Sequence, residues 1–148
     1  MSRFIHQSHN VSNLKYHLVC PAKYRRAVLT PPVDRKLKEV CVEISKRYEI
    51  IILEIGTDED QVHFLVQSVP MYSRKKIVQR IKSLTAREIF RACPEVKKQL
   101  WGGEFWSDGY LISPVGRHGN ERVIKQYKQE QGAETQYEQL YKEQLNLF

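Results

Sequence analysis

Two short-range pairs in this chain have residue types and spacing that could do chemistry. The first is Gln61 and His63, in the run Asp60-Gln61-Val62-His63. On a strand, residues i and i+2 point to the same side, so these two side chains could hold one metal ion together. The alternative is a histidine that is simply hydrogen-bonded in a partial core. The second pair is Tyr127 and Gln131, in a late segment with helical patterning. Residues four apart share a helix face, so the tyrosine could act as a nucleophile beside an oxygen-donor ligand. The alternative is that Val123, Ile124 and Tyr127 form the packing face of that helix.

Other chemistries find little support. There is no Walker loop and no GxGxxG, and Trp101-Gly102-Gly103-Glu104 is too short to cradle a phosphate. The five histidines (His6, His9, His17, His63, His118) form no evident Ser/His/Asp or Cys/His set. The three cysteines, Cys20, Cys41 and Cys93, are odd in number and contain no CxxC. That argues against a disulfide framework or a cysteine zinc site and suits the cytosol.

The elements that must position these pairs follow from periodicity. Residues 1–11 read as a polar arm. Lys15–Cys20 reads as a strand, followed by the basic run Lys23-Tyr24-Arg25-Arg26. Pro31 and Pro32 open a helix to Tyr48, with Val33, Leu37, Val40, Cys41 and Ile44 at helical spacing. Ile50–Ile55 reads as a buried strand. Val62, Phe64 and Val66 then alternate as its hairpin partner, which Pro70 ends. Ser73 caps a helix to Ala92 with a core face around Ile77, Ile81 and Leu84. Lys76, Arg80, Arg87 and Arg91 lie on a neighbouring basic stripe. Tyr110–Ser113 reads as a fourth strand, and a helix from Asn120 or Glu121 to Gln131 carries the tyrosine. The order β-α-β-β-α-β predicts an α+β fold of the ferredoxin-like, split βαβ kind. Its antiparallel sheet has helices on one face, and the tyrosine helix is added at the C-terminal end. Residues 1–132 form one domain, and 133–148 a polar tail with helical spacing at Tyr137, Leu140, Tyr141 and Leu145.

The 148 residues carry a formal net charge of +7, unevenly placed. Residues 1–30 carry +5 and residues 73–98 carry +7, while the stretches between and after them are mildly acidic. Clustered positive charge suggests a polyanion partner, with a solvated helix face as the alternative. No apolar run approaches the roughly 18 residues of a membrane span. The N-terminus lacks the apolar core of a secretory signal.

Several stretches together resemble one family. They are Lys15-Tyr16-His17-Leu18-Val19 with Lys23–Arg26, Asp60–Leu65, Ile81-Lys82-Ser83-Leu84-Thr85-Ala86-Arg87, Leu100–Trp106 with Gly109-Tyr110, and the Tyr127 helix. In this order, over about residues 12–132, they resemble the small single-tyrosine transposases of bacterial insertion sequences, the 200/605 type, which are HUH nucleases. The resemblance implies an enzyme that cleaves and rejoins single-stranded DNA at element ends through a 5′-phosphotyrosine intermediate. Tyr127 would be the nucleophile, and His63, Gln61 and Gln131 the ligands of Mg²⁺ or Mn²⁺. It implies hairpin-bearing DNA as partner, a homodimer with composite active sites hinged near Gly116–Gly119, no nucleotide cofactor, and a prokaryotic cytoplasmic setting. Lys15, Lys23, Arg25, Arg26, Lys76, Arg80, Lys82 and Arg87 are the expected nucleic-acid contacts. Two positions depart from the pattern: Gln61 replaces the first histidine of His-U-His, and Pro114 stands where a threonine often precedes Val-Gly. The first departure allows an alternative, a catalytically weakened relative that still binds single-stranded or hairpin nucleic acid.

Overall fold

Leu14, Tyr16, Leu18 and Cys20 alternate with Lys15, His17 and Val19, and this period of two makes β3 (Leu14–Pro21) a strand with one core face. In the computed structural model, residues 5–7, 10–12, 14–100, 103–115 and 137–138 are described. The strands before β3 are β1 (Ile5–Gln7) and β2 (Asn10–Ser12), an antiparallel pair. Residues 5–7 and 10–12 are therefore paired strands where a polar arm was expected.

Helix α1 (Pro31–Arg47) begins with proline in its first turn, where the missing N–H costs nothing. Its predicted stripe Val33, Leu37, Val40, Cys41 and Ile44 is buried. Ser45 ties the helix to the next strand, β4 (Ile50–Thr57): its hydroxyl donates to the Cys41 carbonyl at 2.9 Å and accepts from the Ile52 amide at 3.0 Å. Strict alternation along β4 would aim Glu54 at the core. A register shift between Ile52 and Glu54 prevents this, so Ile50, Ile52 and Ile55 all face inward.

Strand β5 (Gln61–Ser68) pairs antiparallel with both β3 and β4. Helix α2 (Arg74–Ala92) is capped by Ser73, whose hydroxyl accepts from the Lys76 amide at 3.1 Å. It buries Ile77, Val78, Ile81, Thr85 and Ile89. A short helix α3 (Pro94–Gln99) follows directly. Strand β6 (Leu111–Pro114) ends at the proline and pairs with β3, and β7 (Tyr137–Glu138) pairs with β4. At those two residues the tail is strand rather than helix.

The sheet order is β6-β3-β5-β4-β7, antiparallel throughout. The predicted strands thus lie in the order fourth, first, third, second across the sheet, as a split βαβ sheet requires. One sheet face, built from Leu18, Cys20, Ile52, Ile55, Val62, Phe64 and Val66, forms a single core with α1 and α2. The other face carries the residues between them. The segment that carries Tyr127 and Gln131 lies outside the described residues. Among the described residues no helix is long and apolar enough to cross a membrane.

Candidate functional site

Strand pairing alone brings the first candidate pair together. Val19 stands opposite His63 and Pro21 opposite Gln61. Because Val62, Phe64 and Val66 take the helix-covered face, Gln61 and His63 share the other one. His63 is fully buried, and its ring stacks on that of His17 with centroids 5.8 Å apart and planes 21° apart. Asp58, in the β4–β5 turn, places Oδ2 3.9 Å from His63 Nε2.

Gln61 sits between charges of opposite sign. Arg25 Nη1 donates to its Oε1 at 3.2 Å, and its own Nε2 points at Asp58 Oδ2 from 3.4 Å. Arg25 is also paired through Nε with Asp60 at 3.0 Å. The backbone arranges this at a cost. Tyr24 and Arg25 have φ values of 58° and 53°, a left-handed conformation that disfavours side chains by about 1–2 kcal/mol per residue. Neighbouring bonds hold the turn there: the Ala22 amide donates to the Asp60 carbonyl and the Lys23 amide to the Phe105 carbonyl, both at 2.8 Å.

The donor set at this corner is one imidazole nitrogen, one carboxylate oxygen and one carboxamide. Nitrogen and oxygen donors of this kind suit Mg²⁺ or Mn²⁺. Among the described residues no group of three or more His, Cys, Asp or Glu is placed to hold a metal ion.

The basic residues fall into two groups. Lys23, Arg25 and Arg26 cluster at the turn after β3. Lys23 forms an ion pair with Glu104 at 2.7 Å. That hydrogen bond holds the Glu104 carboxyl below its usual range and raises the Lys23 ammonium. Lys15 is half-buried on β3. On α2, the Lys76 ammonium lies 4.7 Å from the Tyr72 ring centre and the Arg80 guanidinium 4.9 Å from that of Tyr48. Arg87 is exposed beside Glu88, at 3.7 Å. Lys82 faces elsewhere: its Nζ donates to the carbonyls of Ser107, Asp108 and Gly109 at 2.7, 3.4 and 3.3 Å. Its charge anchors the loop before β6.

The sequence pattern therefore located Gln61 and His63 on one face but missed the part of Arg25 as the partner of Gln61 and that of Asp58 as the carboxylate beside His63. The acidic run Asp58-Glu59-Asp60 next to Gln61 was the one available pointer. Tyr127, Gln131 and the Gly116–Gly119 segment lie outside the described residues.

Known proteins resemble the chain along most of its length. The family model described as "Transposase IS200 like" matches residues 10–131. The ISDra2 transposase TnpA of Deinococcus radiodurans is 31% identical over 115 residues, which are 78% of this chain and 82% of that protein. The transposase for insertion sequence element IS200 of Salmonella typhimurium is 27% identical over 120 residues, 81% of this chain and 78% of that one. A crystal structure assigned to a transposase of Deinococcus radiodurans R1 superposes with a TM-score of 0.68 at 28% identity, covering 87% of this chain and 99% of that one. The structure of a REP-associated tyrosine transposase bound to a REP hairpin gives a TM-score of 0.56 at 12% identity, over 84% of this chain and 68% of that one. That last likeness is one of fold.

Proposed function

The chain belongs to the IS200-like transposases, and from that premise we propose a single-strand DNA transposase with Tyr127 as its nucleophile. The observation that carries this reading is the span of the family match. Residues 10–131 include the strand bearing Gln61 and His63 and the segment bearing Tyr127 and Gln131 together.

Tyr127 Oη attacks the scissile phosphorus, and the P–O3′ bond breaks. The phenol loses its proton and the departing 3′-oxygen gains one. The products are a 5′-phosphotyrosine and a free 3′-OH. Rejoining is the reverse exchange, with a 3′-OH displacing the tyrosine, so no nucleotide cofactor is consumed. A tyrosine with a pKa of about 10 needs its phenolate favoured by its surroundings. A divalent cation, Mg²⁺ or Mn²⁺, supplies charge neutralisation for the phosphate. His63 is its ligand from β5, with Gln61 two residues before it and Gln131 four after the tyrosine as the neighbouring carboxamides. The imidazole is held in place by burial and by its stacking on His17.

The turn residues Lys23, Arg25 and Arg26 and the α2 residues Lys76, Arg80 and Arg87 offer positive charge to DNA phosphates. Lys15 adds to it from β3, and Lys82 contributes by holding the loop before β6. Hairpin DNA at the element ends is the fitting partner, since a structural neighbour is described as bound to a REP hairpin. The enzyme acts as a homodimer in the prokaryotic cytoplasm, with the tyrosine segment of one protomer completing the site of the other. A second reading, hairpin binding without cleavage, is favoured by the grip of Arg25 on the Gln61 oxygen.

One assay decides between them. The protein is incubated with Mn²⁺ and single-stranded DNA carrying the element end, and covalent adduct is read on a denaturing gel. The expected result is an adduct that Tyr127→Phe abolishes. An adduct from Gln61→His alone supports the binding-only reading. Adduct from neither refutes the enzyme.

A further inference from the structure

The carboxamide of Gln61 is already committed at both ends. Its Oε1, the atom a metal would use, accepts from Arg25 Nη1 at 3.2 Å, and Arg25 is itself anchored on Asp60 at 3.0 Å. A cation bound through that oxygen would share it with a charged donor and sit against a guanidinium, whose positive charge opposes it. The other end, Nε2, is directed at Asp58 Oδ2 from 3.4 Å. That same carboxylate oxygen lies 3.9 Å from His63 Nε2. Two donors of one octahedral ion at about 2.1 Å lie about 3.0 Å apart when adjacent, so a shift of about 1 Å by the Asp58 side chain brings this pair into adjacent ligand positions. An ion there meets a neutral nitrogen and an anionic oxygen, and a carboxylate suits a hard cation.

We infer that Asp58 is the second metal ligand beside His63, and that Gln61 is a positioning residue braced between Arg25 and Asp58. Asp58 thus supplies the donor that the first histidine of the motif would have provided. The left-handed turn at Tyr24 and Arg25 is what puts the guanidinium within reach of Gln61. The assignment rests on the metal-dependent reading above.

The test measures Mn²⁺ affinity of the full chain by calorimetry, with no DNA present. Its variants are His63→Ala, Asp58→Asn and Gln61→Ala, each checked for folding by thermal melting. Loss of a ligand is expected to weaken Mn²⁺ by about 100-fold or more in His63→Ala and Asp58→Asn. Loss of a positioning contact is expected to cost about 10-fold in Gln61→Ala. Electron–nuclear double resonance of bound Mn²⁺ gives the direct signature. Protein labelled with ¹³C at aspartate carboxylates should show a strongly coupled carbon that Asp58→Asn removes. Protein labelled at glutamine carboxamides should show none that Gln61→Ala removes. The inference is overturned if Gln61→Ala loses as much as His63→Ala while Asp58→Asn loses less. It is equally overturned if the labelled aspartates show no coupled carbon, a measurement on the unsubstituted chain that stands even if Asp58→Asn fails to fold. If His63→Ala leaves Mn²⁺ affinity unchanged, the metal-dependent reading fails first and this assignment with it.

Discussion

Replacing Thr85 by valine tests what supports the turn that carries Arg25. Thr85 is fully buried on α2. Its hydroxyl donates to the Ile81 carbonyl at 2.6 Å and accepts from Trp106 Nε1 at 2.9 Å. Trp106 bridges to Ala22, and the next amide, Ser107, donates to the Pro21 carbonyl at 2.9 Å. The indole therefore fixes the segment against which the Tyr24–Arg25 turn is built. Valine keeps the shape of threonine but accepts no hydrogen bond, so a buried indole N–H is left unsatisfied at a cost of about 1–3 kcal/mol. In a chain of this size each kcal/mol moves Tm by about 2–4 °C. A fall of about 6 °C is expected. Trp106→Phe removes the donor instead. With both substitutions no orphan group remains, so the double variant should lose less than the sum of the singles by about 0.5–1.5 kcal/mol. Urea unfolding followed by far-ultraviolet circular dichroism gives the three midpoints at constant slope. Losses that add within about 0.3 kcal/mol, or a Thr85→Val cost below about 0.5 kcal/mol, would refute the argument.

Two further outcomes follow from charge. Arg80→Ala and Arg87→Ala should each weaken single-stranded DNA binding regardless of sequence, and each should reduce the salt slope of log K by about 0.7. A slope unchanged in both would remove α2 from the DNA-binding surface. Alkaline pH should destabilise the fold through its thiols. Burial pushes the Cys20 thiol up to about 12, against a smaller opposing effect of Lys82, and raises that of Cys41 as well. In the unfolded chain a thiol loses its proton near pH 8.5 while the native thiol keeps it. Above that pH the unfolded state binds fewer protons, so stability falls as pH rises toward 12, by about 1.4 kcal/mol per pH unit per thiol. Urea midpoints between pH 7.5 and 10 check this, and an equally steep decline in Cys41→Ala would contradict it.

The elements legible in the sequence were those whose period is enforced by burial. Val33, Leu37, Val40, Cys41 and Ile44 mark α1, and Val62, Phe64 and Val66 mark β5, because each stripe has a core to face. The misses had other causes. No helix is expected between Ala92 and Tyr110, yet proline in a first turn starts one, and α3 begins at Pro94. The β1–β2 hairpin is polar, and its pairing carries no apolar signature. Two strand residues at Tyr137 and Glu138 come from pairing with the β4 edge, which overrides a local helical spacing. At the site, the i, i+2 rule placed Gln61 and His63 correctly. The Arg25–Gln61 contact spans 36 positions. It also depends on two left-handed residues in a run that contains no glycine or asparagine to announce them.

That contact explains why the corner is a tertiary product rather than a motif. The β3–β5 ladder runs to its last pair, Pro21 with Gln61, and proline has no amide to donate there. The chain instead bonds outward from this point. The Pro21 carbonyl accepts from Ser107, the Ala22 amide donates to Asp60, and the Leu29 amide donates to Glu59 at 3.4 Å. One end of the ladder is thereby tied both to the acidic turn and to the segment fixed by Trp106. The acidic turn sets Asp58 beside His63, and the basic turn sets Arg25 on Gln61. Opposite charges are thus separated across a neutral carboxamide, with the carboxylate on the histidine side. An arginine one step closer would repel a cation, and with no arginine the carboxamide oxygen would compete with Asp58 for it. The residue at position 61 therefore matters less for its own donor atoms than for which charged neighbour it holds toward His63.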